Sequence, residues 1–199
     1  MNKFLLTVAA LAVSTAAQAS IIPTLSSITP VGSNFMFTYD GYLSGDQGLV
    51  AGDQLDIFNF AGYVPGSVTA GGNPDVVATV VTGDPSGLSL PPGVSLIPGD
   101  VTLVFTYEGP PYDTSGGPFG VTLFSGLGAQ SIYGGSALIG AYSAVAENNT
   151  GPETGTATFN FGFEAVPFPI PEPATWALML IGAAATGASL RNRRNLAAA

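Results

Sequence analysis

Between residues 34 and 163 the chain is a series of short runs whose side chains alternate, each run closed by glycine or proline. A period of two puts successive side chains on opposite faces, which suits a β-strand and not a helix. The run 34–39 places Phe35, Phe37 and Tyr39 on one face. The run 55–60 sets Asp56 and Phe58 opposite Leu55 and Ile57. Residues 76–82 are β-branched almost throughout, as in a buried strand. Val101, Leu103, Phe105 and Tyr107 share a face of the run 101–107, and residues 119–125 follow. The run 156–163 turns Ala157, Phe159, Phe161 and Phe163 one way and Thr158 and Asn160 the other, whereas 136–147 is ambiguous between strand and helix. A five-residue echo, Phe37-Thr-Tyr-Asp-Gly41 and Phe105-Thr-Tyr-Glu-Gly109, is the kind of string that strands repeat by chance.

The joints, among them Gly71-Gly72-Asn73-Pro74, Pro91-Pro92-Gly93 and Gly116-Gly117-Pro118, are turn chemistry. Residues 20–170 hold 25 Gly and 14 Pro, a proportion near that of disordered chains, but the aromatic and β-branched runs are what disordered chains lack. Short strands with such turns and no long helical periodicity predict an all-β body over residues 20–165. Its expected form is a single β-sandwich of jelly-roll or immunoglobulin-like type.

Charge narrows what such a body can do. The four basic residues, Lys3, Arg191, Arg193 and Arg194, lie at the two ends; residues 20–170 contain no Lys or Arg and twelve of the thirteen acids. Phosphate contacts need Lys or Arg, so nucleic-acid binding is excluded. The chain has no Cys and no His, which removes disulfides, thiol nucleophiles, imidazole catalysis and the usual zinc ligands. The acids must be solvated, hydrogen-bonded or bound to a hard cation.

The ends carry different signals. Residues 1–19 have a positive start at Lys3, an apolar stretch and an Ala17-Gln18-Ala19 site. That is the pattern of a signal peptide, read by the secretion translocon and cut by signal peptidase before Ser20. At the other end a proline-rich linker, 166–173, leads into an uncharged apolar run, 174–190, and a basic tail, 191–199. Seventeen residues at ~1.5 Å each make about 25 Å of helix, at the short end for a membrane span. Trp176 at one end, and Arg191, Arg193 and Arg194 at the other, orient the tail to the cytoplasm and the body to the outside.

Pro171-Glu172-Pro173, then Ala174-Thr175-Trp176-Ala177, a Gly/Ala-rich apolar run and an arginine cluster resemble the PEP-CTERM protein-sorting signal, in its tryptophan-containing subtype. The resemblance implies a Gram-negative bacterium that makes exopolysaccharide. It implies a precursor held in the inner membrane with its body in the periplasm. It also implies an exosortase that processes the chain near Pro171, Glu172 and Pro173 and delivers it to the cell surface or medium. The string from Gly52 to Gly66 is similar to ectodomains found ahead of this signal, which implies placement and no activity.

For the body itself, hydroxyls, carboxylates and tyrosines are the chemistry left. No Ser/His/Asp arrangement can be built, and no acid–base constellation stands out, so an enzyme is not expected. No cofactor is expected except calcium: Asp46, Asp53 and Asp56 fall in a Gly-rich segment whose oxygens suit Ca²⁺, although their spacing meets no known loop and a solvated acidic loop is the simpler reading. Tyr42, Tyr63, Tyr112 and Tyr133 adjoin Gly or Pro, and Tyr142 lies two residues from Gly140; as a row they would stack on sugars, and singly they are partial core residues with a wet hydroxyl. The expectation is a non-enzymatic surface or exopolysaccharide-matrix protein, with a carbohydrate-binding or calcium-dependent adhesion module as the alternative.

Overall fold

The computed structural model describes residues 21–83, 85, 88, 90–113, 121–149, 151–169 and 177–186. Eleven strands account for most of them: β1 (Ile21–Val31), β2 (Asn34–Leu43), β3 (Gln47–Leu49), β4 (Gln54–Phe60), β5 (Thr69–Ala70), β6 (Val76–Val81), β7 (Val101–Tyr107), β8 (Tyr112–Asp113), β9 (Val121–Ser131), β10 (Gly135–Asn148) and β11 (Ala157–Phe168). They form two antiparallel sheets. One has the order β1-β2-β9-β5; the other runs β6-β7-β4-β10-β3-β8, with β11 paired to β10. The body is all-β, as the alternation predicts.

The core lies between the sheets. Phe37, Tyr39, Leu43 and Leu127 from the first meet Leu55, Ile57, Leu103 and Phe105 from the second, all but fully buried. Phe37 and Phe60 pack edge to face at 5.8 Å between ring centres. The two echo strings lie in different sheets, one in β2 and one in β7. In each, the tyrosine is buried and its hydroxyl donates to a backbone carbonyl: Tyr39 to Ala165 at 3.0 Å, Tyr107 to Pro110 at 2.6 Å. Strand β9 approaches β2 so closely that a Cβ on Gly128 would sit 2.0 Å from the Phe37 carbonyl oxygen.

Four departures from the sequence reading have physical reasons. Strand β1 shows no alternation and contains Pro23 and Pro30; it pairs with β2 alone, and an edge is where a sheet tolerates proline. The ambiguous run is a strand, β10, because both of its edges are paired. Strand β11 continues through Phe168, so residues 166–168 of the expected linker are strand, and Pro167 is accommodated because β11 is itself an edge.

The fourth departure concerns sides. Asp56 and Phe58 face away from the core and are nevertheless fully buried, because the described residues between 82 and 100 cross the outer face of their sheet. Asn59, in the left-handed region at φ 60°, pins that crossing: its amide donates to the Ser95 carbonyl at 3.1 Å and accepts from the Ile97 N–H at 2.9 Å. The crossing stops short of β11. Phe159, Phe161 and Phe163 are therefore 61%, 58% and 65% exposed, while Thr158 is buried and Gly162 lies under the Tyr142 ring. Period two says which side chains share a face and not which face is covered.

Among the described residues no helix is long and apolar enough to cross a membrane. The helix that is described covers residues 177–186, with every residue exposed. The rest of the predicted run 174–190, the signal segment 1–19 and the basic tail lie outside the described residues.

Candidate functional site

Strand β11 delivers the C-terminal segment to one end of the sheets. Gly135 pairs with Phe168, and residue 135 follows the end of β9 at Ser131, which pairs with Phe35 beside the β1–β2 turn. The Tyr63–Ser131 bridge brings the end of β4 to the same place. This end is called the exit pole here. Pro171, Glu172, Pro173 and Trp176 follow in sequence and lie outside the described residues, as do Ala17, Ala19, Ser20, Arg191, Arg193 and Arg194. Even fully extended, the five residues 169–173 span only about 18 Å, so the apolar run must begin close to the exit pole.

The opposite pole is acidic. Asp46, Asp53, Asp75, Glu108 and Glu147 stand at the ends of β3, β4, β6, β7 and β10 that point away from the exit. Asp46 accepts the Ser44 hydroxyl, and its carbonyl takes the Asn149 N–H at 2.9 Å. Asp53 closes its own turn: its carboxylate accepts the Val50 N–H at 2.8 Å while its N–H donates to the Val50 carbonyl at 3.0 Å. Burial pushes the Asp53 carboxyl up to about 6; the Val50 N–H opposes the rise and the Glu147 charge adds to it. Asp56 lies mid-strand under the 82–100 crossing and accepts the Gln54 amide at 2.7 Å. The structure does not gather the three: among the described residues no group of three acids is placed to hold a metal ion.

Nor do the tyrosines form a row. Tyr42 is exposed at the acidic pole, Tyr63 and Tyr133 are half-buried at the exit pole, Tyr112 is half-buried near Leu49, and Tyr142 is buried mid-sheet. The exposed aromatic row is the one on β11. Beside it, Leu88, Leu90 and Pro92 face Phe159 and Phe161 across a groove of about 330 Å³ floored by Ser143. Sequence reading missed this groove because Leu88 and Leu90 sit in a Gly/Pro-rich joint with no periodicity to place them over β11.

One buried acid outside the expected set ties the sheets together. The Glu164 carboxylate accepts N–H groups from Leu25 at 3.1 Å and Ala165 at 2.9 Å, joining β11 to β1. Burial pushes its pKa up, and those two N–H groups oppose the rise. With its oxygen engaged by the backbone, Glu164 serves to hold the fold.

The decisive similarity lies in the segment that follows β11. Residues 169–194 match the PEP-CTERM protein-sorting motif. The chain thus carries a PEP-CTERM sorting signal, and the motif implies export and exosortase processing from a membrane-anchored precursor. The match begins one residue after the last strand, so the PEP-CTERM segment and the folded body meet without overlap. No curated protein and no solved structure matches the chain.

Proposed function

We propose that this PEP-CTERM protein is a non-enzymatic surface or exopolysaccharide-matrix protein. In this reading residues 1–19 direct secretion through the translocon, and signal peptidase cuts at Ala19–Ser20. The run 174–190 then holds the precursor in the inner membrane of a Gram-negative cell, with Arg191, Arg193 and Arg194 on the cytoplasmic side. The exosortase acts near Pro171-Glu172-Pro173 and releases the body, residues 20–168, to the cell surface or medium. Two packed antiparallel sheets support taking that body as a sandwich of the jelly-roll or immunoglobulin-like kind.

The observation that carries this reading is the sorting motif placed directly after the last strand. The body adds to it: it has no His, Cys, Lys or Arg, and the carboxylates of Asp40, Asp53 and Glu164 accept backbone N–H groups, as a structural module's do. The test is to express the precursor with Glu172→Ala beside the wild type in a host carrying the exosortase. Wild type should reach the medium or surface, and the variant should stay with the inner membrane. Equal release of both would refute exosortase sorting.

The groove beside Phe159 and Phe161 favours one second reading, a carbohydrate-binding module. A polysaccharide panel read by thermal shift separates the two: a shift abolished by Phe161→Ser supports sugar binding, and no shift with any glycan or with Ca²⁺ supports the matrix role.

A further inference from the structure

The two poles differ in more than charge. At the exit pole Ile132 is 55% exposed, Leu138 69%, and Phe168, Ile139, Val31 and Ile97 also show apolar surface. Leu138 and Ile139 stand on a bulge where the β10–β11 register shifts between Ala137 and Gly140, so the pleat does not turn them inward. Residues 126–146 contain no charged side chain, and the described acid in the connections at this pole is Asp100. Two half-buried tyrosines, Tyr63 and Tyr133, complete it. Such a patch on a soluble surface marks a docking site, and rings with a polar tip are what a membrane interface favours.

We propose that in the precursor the exit pole lies against the lipid surface, with Ile132, Leu138 and Phe168 in the headgroup region and the acidic pole turned away. Two observations name lipid as the occupant. The tether is short: residues 169–173 allow at most about 22 Å between Phe168 and the start of the apolar run. The charge is complementary: the pole that the tether brings down has Asp100 as the described acid of its connections, and Asp46, Asp53, Asp75, Glu108 and Glu147 are carried away from anionic headgroups. The inference rests on the run 174–190 being lodged in the membrane. It deepens that reading by giving the body an orientation, which sets the segment around Glu172 at the depth of a membrane-embedded protease. Cleavage then removes the tether and frees the apolar pole.

The chain has no cysteine, so single-cysteine variants take one label each. Full-length Ile132→Cys, Leu138→Cys, Glu108→Cys and Leu180→Cys, each carrying an environment-sensitive fluorophore, are reconstituted in phosphatidylethanolamine–phosphatidylglycerol vesicles. Lipid bearing a shallow nitroxide quencher is then added. All four sites are solvent-exposed in the fold. The expected result is loss of fluorescence at positions 180, 138 and 132, and none at 108. Quenching at 180 with positions 138 and 132 as bright as 108 would overturn the contact while leaving the anchor standing. No quenching at 180 would overturn the anchor itself, and the contact with it.

Discussion

Replacing Asp53 by Asn should stabilise the body at neutral pH and leave it unchanged in mild acid. In the fold the Asp53 carboxyl is raised to about 6, chiefly by burial. An unfolded aspartate titrates near ~3.9. The folded state therefore holds the proton more tightly between those values. Its contribution is fully present below pH ~4 and is lost as pH rises through about 6. Two pKa units correspond to ~3 kcal/mol, which solvent around a partly sheltered carboxylate reduces to about 1–2 kcal/mol. Asparagine keeps an oxygen for the Val50 N–H, now 2.8 Å from the carboxylate, and carries no charge to desolvate. Asp53→Asn should thus be more stable than wild type by about 1–2 kcal/mol at pH 7.5 and equal to it at pH 4. Urea unfolding followed by circular dichroism at pH 4, 5, 6, 7 and 8 measures this. Asp100 and Glu164 are raised as well, and the body has no cation to offset its acids. The variant should therefore keep a shallower slope of the same sign. Two curves that run parallel from pH 4 to 8, or a wild type most stable at pH 8, would refute the reasoning.

Other outcomes follow from the crossing segment and from the two faces of β11. Asn59→Ala removes two hydrogen bonds to residues 95 and 97 and leaves a Cβ-bearing residue at φ 60° without the local bonding that suits asparagine there. It should cost about 2–4 kcal/mol in urea unfolding, and the 85–100 amides should lose hydrogen-exchange protection before the rest of the sheet. Phe161→Ser, on the uncovered face, should change stability by no more than ~0.5 kcal/mol, whereas Phe37→Ala in the core should cost about 3–5 kcal/mol by the same measurement.

How far the sequence could be read depended on whether the deciding physics was local. Alternation identified β2, β4, β7 and β11, a β-branched run identified β6, and the run 101–107 matches its strand end for end. Strand β1 escaped because prolines and serines interrupt its pattern; it forms because β2 offers ten residues of partner, a non-local cause. Burial of Asp56 and Phe58 depends on a crossing segment whose anchor, Asn59, is an ordinary polar residue in sequence. At the candidate site the legible part was the sorting segment, since Pro171-Glu172-Pro173, the apolar run and the arginines are contiguous. The groove under Leu88 and the apolar exit pole were not legible, because each joins residues from strands far apart in the chain.

The central claim is that the C-terminal segment is an address removed on delivery. The intact mass of the protein recovered from the cell surface or medium tests it most directly. The account predicts a chain that begins at Ser20 and ends near Pro171–Pro173, and so carries none of the four basic side chains. Recovery of a surface or extracellular product that continues through Arg191, Arg193 and Arg194 to Ala199 would contradict it.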